Sequence, residues 1–171
     1  MTASVVAEGE NYRIELDGAI AHCRVWSRPD LDFEAGARLA AQKVLICSSL
    51  ASGDARGLLF DLREAPKVIG PKTQNSLIQI LAAWEHAGRP IAVIVSPASL
   101  QRLQLSRLAR EAAPQHAEIF VDFDLAREWL GARLRGAPTA PPTRRSRPAA
   151  PSSPALERRT PRPAGPIKPR G

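Results

Sequence analysis

Three polar residues sit where strands of an open α/β sheet would end: Asp61 and Arg63 beside the run 57–62, and Ser96 after the run 91–95. Ligands of such sheets lie outside the carboxyl ends of the strands. Asp61 and Arg63 are of the right types to position a small polar ligand. The same two residues can also form a local ion pair in a solvated loop, which is worth little. A few residues on, Lys67, Lys72, Thr73, Gln74 and Asn75 crowd the loop 63–73 and the first turns of a helix that begins at Pro71. A helix start offers unpaired amides and a positive dipole end. Here proline removes one donor and no glycine-rich cradle precedes it, so simple helix capping accounts for the stretch as a phosphate site. Its exposed polar residues are better suited to meeting a protein partner.

Catalysis finds less support. Acid–base work needs converging titratable groups. His22 falls inside an expected strand, His86 near a helix end and His116 in a connection, with no ligand spacing among them. The only cysteines, Cys23 and Cys47, form no CxxC pair. They read as buried free thiols of a reduced compartment. We therefore expect no metal, no cofactor and no enzymatic activity.

The elements that must position these residues end near Gly136, where the composition shifts. Residues 136–171 hold ten of the sixteen prolines. They also hold eight basic residues against Glu157 alone, so sixteen basic and sixteen acidic residues remain before them and the whole net charge of +7 lies in the tail. With almost no large apolar side chains, that tail cannot offset the entropy of ordering and is expected to be disordered. Arg144, Arg145, Arg147, Arg158 and Arg159 would be its phosphate contacts if it meets nucleic acid, in a salt-sensitive and sequence-independent way. A bias of the coding DNA toward arginine, alanine and proline explains the same composition without any function.

Residues 1–10 read as a loose leader without the basic and apolar regions of a secretory signal. No stretch approaches the roughly 18 apolar residues of a membrane span, and the chain reads as cytoplasmic. Between leader and tail, residues 11–135 are about the size of one domain. Tyr12, Ile14 and Leu16 alternate with charged residues, the period of a half-exposed strand. Asp17-Gly18 signals a tight hairpin, and 19–26 returns as the second strand. Asp30 or Asp32 can cap a helix whose face carries Phe33, Ala37, Ala40, Val44 and Cys47. The continuous apolar run Leu58-Leu59-Phe60 predicts a strand covered on both faces. Leu77, Ile80, Leu81 and Trp84 form the stripe of the next helix, which Gly88 and Pro90 close. The run 91–95 is the most strand-like in the chain. Ser96-Pro97 should cap and open a helix that turns Leu100, Leu103, Leu105 and Leu108 inward. A short strand 117–121 and a helix capped by Asp122 or Asp124, carrying Ala126, Trp129, Leu130 and Leu134, complete the order ββαβαβαβα. This is an α/β fold: a mixed sheet opened by an N-terminal hairpin and continued by right-handed βαβ crossovers.

The opening hairpin, a strand ending in Phe60-Asp61-Leu62, the run 91–95, and a close with Phe120, Phe123, Ala126, Trp129 and Leu130 together resemble a STAS-like (SpoIIAA-like) domain, the fold of bacterial anti-sigma factor antagonists. That resemblance covers about 11–135. It implies a regulatory protein that works by binding another protein. Such antagonists carry an Asp-Ser-Ser/Thr-Gly turn at the helix after the third strand, whose hydroxyl a partner kinase phosphorylates. Here Ile69 stands at the Asp position, and Gly70 and Pro71 stand where hydroxyls would be. Thr73 and Ser76 lie further into the helix. The chain looks like a divergent, STAS/SEC14-like member without the usual phosphoacceptor.

The reading that follows is a non-enzymatic, STAS-like interaction module that meets its partner through the loop 63–73 and the helix after it. Two others stand beside it. One is a small-molecule or lipid sensor on the same fold, by analogy alone. The other is nucleic-acid association through the tail. The oligomeric state is not legible.

Overall fold

The computed structural model describes residues 3–67, 69–97 and 99–136. The tail beyond Gly136, with Arg144, Arg145, Arg147, Arg158 and Arg159, lies outside the described residues. So does the side chain of Phe33.

The described part is a six-stranded sheet with four helices. The strands are β1 (Ser4–Gly9), β2 (Tyr12–Asp17), β3 (Ile20–Trp26), β4 (Gly57–Glu64), β5 (Ile91–Ile94) and β6 (Ala117–Phe120). The helices are α1 (Phe33–Ser52), α2 (Pro71–His86), α3 (Ser99–Ala112) and α4 (Phe123–Leu134). Strand order in the sheet is the order in the chain. The β1–β2 and β2–β3 pairs are antiparallel, and every later pair is parallel. The expected mixed α/β architecture is therefore present, with one strand more.

That strand corrects the reading of residues 1–10 as a loose leader. Residues 4–9 pair with β2 in register from Ser4 opposite Leu16 to Gly9 opposite Tyr12, with a shift between Val5 and Ala7. The side chain of Ala7 packs on the core, while Val5 and Val6 stay exposed. A six-residue strand whose valines face water carries almost no periodic signal, so pairing rather than patterning decides it. The turn after β2 also sits one residue later than expected. Asp17 still pairs with Ile20, and Gly18 and Ala19 form the loop. Only Gly18 has positive φ, at 59°, the pattern of a type II′ turn.

Sequential strand order with parallel neighbours puts α1, α2 and α3 on one face of the sheet. Side-chain alternation sorts the core accordingly. Ile14, Cys23, Leu58, Phe60, Ile91 and Val93 join the cluster under these three helices. Leu59, Ala92, Ile94 and Phe120 point the other way, against Ala126 and Leu130 of α4. Gly57 lets α4 approach, because a Cβ there would lie 3.0 Å from Leu130 Cδ1.

Local signals explain most helix ends. Asp32 caps α1, its carboxylate accepting from Ala35 N at 2.7 Å. Asp122 caps α4, accepting from Asp124 N at 2.9 Å and Leu125 N at 3.0 Å. Gly88, at φ 65°, turns the chain out of α2. The α2 stripe Leu77, Ile80, Leu81 and Trp84 is buried as spaced. The α3 reading fails in two respects. The helix starts at Ser99, not beside Ser96, and Leu100 and Leu103 are 53% and 68% exposed while Leu105 and Leu108 are buried. With four leucines on one short helix, the apolar face could be drawn through the wrong pair. On α1 the buried side runs through Leu39, Cys47 and Ala51.

Cys23 and Cys47 meet inside this core, both free and fully buried. A hydrogen bond to Cys47, then burial, pushes the Cys23 thiol well above its ordinary pKa. The thiolate is the reactive form. A chromogenic disulfide reagent at pH 8 should therefore leave both thiols unmodified in the native protein and titrate both in denaturant. Rapid native labelling would contradict this packing.

Candidate functional site

The carboxyl ends of β3 and β4 open between α1 and α2 into a cavity of about 370 Å³. Its floor includes Val25, Phe60 and Leu62 from the sheet, and Leu77 and Ile80 of α2 form one wall. Opposite them α1 presents Gly36, Ala37 and Ala40, side chains too short to fill the space. The sequence reading had placed Ala37 and Ala40 in a packed helix face. They face the cavity instead.

Hydrogen bonds from side chains and loops hold this end of the sheet together. Trp26 Nε1 donates to Glu10 O at 3.0 Å, and Ser27 N donates to Glu64 O at 2.8 Å. Gln101 of α3 is 1% exposed. Its Nε2 donates to Leu62 O at 3.1 Å and its Oε1 accepts from Ser96 N at 3.1 Å, tying the ends of β4 and β5 together. Sequence reasoning missed Gln101. A lone glutamine on a helix has no signal of burial until the two loops it joins are known.

Two charged side chains also line the cavity wall near its helix α1 side. Arg28 is held by Asp30, with Nε at 2.8 Å from Oδ1 and Nη2 at 2.7 Å from Oδ2. The hydrogen bond and charge of Arg28 pull Asp30 down to about 2. Lys43 of α1 is different. It is partly buried, donates to Asn11 Oδ1 at 3.2 Å and lies 5.6 Å from the Tyr12 ring centroid. Burial lowers its pKa, against the pull of any charge on Cys23 and Cys47. Among the described residues it has no carboxylate partner.

The sequence-derived residues divide into three places. Lys72 and Thr73 line the cavity mouth, with exposed Lys67 in the loop before them and exposed Asn75 beside them on α2. Gln74 is half-buried and donates to Ile69 O at 3.1 Å, anchoring the helix start. Gly70 caps α2 without a side-chain hydrogen bond, and Ser76 Oγ donates back to Lys72 O at 3.2 Å. Asp61 and Arg63, by alternation along β4, lie on the opposite face from the cavity. Arg63 Nε and Nη2 reach the Asp61 carboxylate at 2.9 and 2.7 Å, and the guanidinium lies over the Phe123 ring. Ser96 lies after β5, two residues beyond Ile94, which pairs with Asp61. Asp61 and Arg63 are engaged with each other, and the Ser96 amide is held by Gln101.

On that opposite face His22 packs 5.7 Å from the Phe123 ring, and its buried Nε2 has no hydrogen-bond partner among the described residues. Burial lowers its pKa, outweighing Asp61 and Glu15, while Arg24 and Arg63 act in the same direction as burial. The unfolded chain takes up that proton near the ordinary value, so His22 contributes stability above roughly pH 6.5 that is lost as pH falls through its lower folded value. Urea midpoints at pH 7.5 and pH 5 should differ more for the wild type than for His22→Leu. Equal differences would mean that His22 is not desolvated. Asp61 behaves otherwise. Burial alone would raise its pKa, but Arg63 outweighs that and holds it below the ordinary value.

Among the described residues no three His, Cys, Asp or Glu side chains are placed to hold a metal, and no helix is long and apolar enough to cross a membrane. No family model matches the sequence, and no curated protein does. One solved structure that is similar is apo-SiaC from Pseudomonas aeruginosa, with a TM-score of 0.43 and 18% identity over 71% of this chain and 100% of that one. So remote a likeness has no bearing on what this chain does.

Proposed function

We propose that the protein is a non-enzymatic regulatory module of STAS-like type that binds a protein partner through the stretch 63–73, which the structure divides into the end of β4, the loop 65–70 and the start of α2. The observation that carries this reading is the stretch 65–76. It bears Lys67 and Lys72 and no acid, a local excess of positive charge in a domain whose charges balance as a whole. Lys67, Lys72, Thr73 and Asn75 are exposed, yet the backbone beneath them is fixed by Gln101, by buried Ile69 and by Gln74. A pre-organised surface binds with less loss of entropy than a loose one. Its positive charge suits an acidic partner and would speed encounter in a salt-dependent way. The nearby titratable groups have structural partners, as in Asp61 with Arg63 and Arg24 with Glu64, which favours binding over catalysis.

The double variant Lys67→Glu, Asn75→Arg should lose a partner that the wild type retains at low salt, with an unchanged melting temperature. Arg107→Glu, on the exposed side of α3, should retain it. Retention by both variants would remove this surface from consideration.

A further inference from the structure

We infer that the cavity between α1, α2 and the carboxyl ends of β3 and β4 binds an unbranched aliphatic carboxylate, with its headgroup on Lys43 and Asn11. This goes beyond the partner surface, which touches the cavity only at its mouth, through Lys72 and Thr73, while Lys67 and Asn75 lie outside it.

The shape and lining set the body of the ligand. A space of about 370 Å³ lies within the range that small molecules occupy. Phe60, Leu62, Leu77 and Ile80 form apolar walls, and Ala37 and Ala40 leave the width open. Such an apolar lining suits a hydrocarbon chain better than a polar ring.

The headgroup follows from charge. Lys43 is a cation partly withdrawn from water, whose only hydrogen bond among the described residues goes to a neutral amide. Withdrawing an ammonium without a counter-ion is costly, and an opposite charge arriving with good geometry offsets that cost. Arg28 does not offer the same opportunity, because Asp30 already holds its guanidinium. Asn11 accepts from Lys43 through Oδ1, so its amide nitrogen remains as a second donor. One ammonium and one amide N–H match the two oxygens of a carboxylate. A phosphate would leave oxygens without donors. Anionic charge combined with an apolar chain is therefore the chemistry that the cavity selects.

The test is calorimetric titration of the full chain at neutral pH with octanoate, decanoate and dodecanoate, and with decanol as the uncharged counterpart. Affinity should rise about fourfold for each methylene until the slot is full. Decanoate should bind at least about tenfold more tightly than decanol, as expected for a charge-assisted hydrogen bond. Lys43→Met should keep its fold and bind decanoate and decanol equally. Lys43→Arg should keep the preference. Absence of decanoate binding, equal binding of acid and alcohol by the wild type, or an undiminished preference in Lys43→Met would each overturn the proposal. The Lys67→Glu, Asn75→Arg variant should still bind decanoate, so loss of the partner surface and failure of the cavity reading are separately visible.

Discussion

Trp84→Ala is expected to lower the free energy of unfolding by about 3–5 kcal/mol, the largest effect of any single truncation in this core. Trp84 is the largest fully buried side chain in the domain. It is the last residue of the buried α2 stripe, and its Nε1 donates to Cys47 O of α1 at 3.1 Å. Alanine would leave a cavity that rigid neighbours cannot close, and it would also remove the bond that joins α2 to α1. Trp84→Phe keeps most of the ring and loses the hydrogen bond, so a cost of about 1–2 kcal/mol is expected. Trp129→Ala on α4, where the indole is partly exposed against Phe120, should cost less than Trp84→Ala. Urea unfolding followed by circular dichroism orders the three. A loss below about 1 kcal/mol for Trp84→Ala would contradict the packing of α2 described above.

Gln101→Leu should cost about 1–3 kcal/mol, although leucine fills similar space and is more apolar. The reason is what it abandons. Ser96 N–H loses its acceptor, and Leu62 O loses one of its donors while keeping Ala65 N at 3.1 Å. An unmet buried donor costs more than the hydrogen bond gave. The local effect matters more for function. Gln101 is the side chain that joins the end of β4 to the end of β5, so exchange of the amides of Arg63, Glu64, Ala65, Val95 and Ser96 should accelerate beyond the global loss. If exchange there rises no more than in the rest of the sheet, Gln101 does not organise this end of the domain. Partner binding should weaken in the same variant, because the loop 65–70 would enter the complex with more freedom to lose.

The elements themselves were largely legible, and the reasons are local. Period-two alternation from Tyr12 to Leu16 marks β2, the apolar runs mark β4 and β5, and Asp32 and Asp122 mark two helix starts. What escaped was decided by contacts between distant segments. The β1 strand exists because β2 offers an edge, and Gln101 is buried because two loops converge on it. Ser96 looked like a cap, but its amide is taken by Gln101 instead. The partner residues Lys67, Lys72, Thr73 and Asn75 were readable as exposed and adjacent. Asp61 and Arg63 were readable as a pair. That the two groups lie on opposite faces follows only from the register of β4, and the cavity follows from short side chains on α1 meeting open strand ends. No window of the sequence contains both partners of that encounter.

The most direct test of the partner surface places a photo-activated benzoylphenylalanine at Lys67 or Asn75 in turn, and at Arg107 or Glu111 on α3 as controls. The account predicts one saturable adduct with the same protein from Lys67 and Asn75, suppressed by excess unlabelled domain and by salt, and none from α3. Adducts of equal yield from all four positions, or from α3 alone, would contradict it.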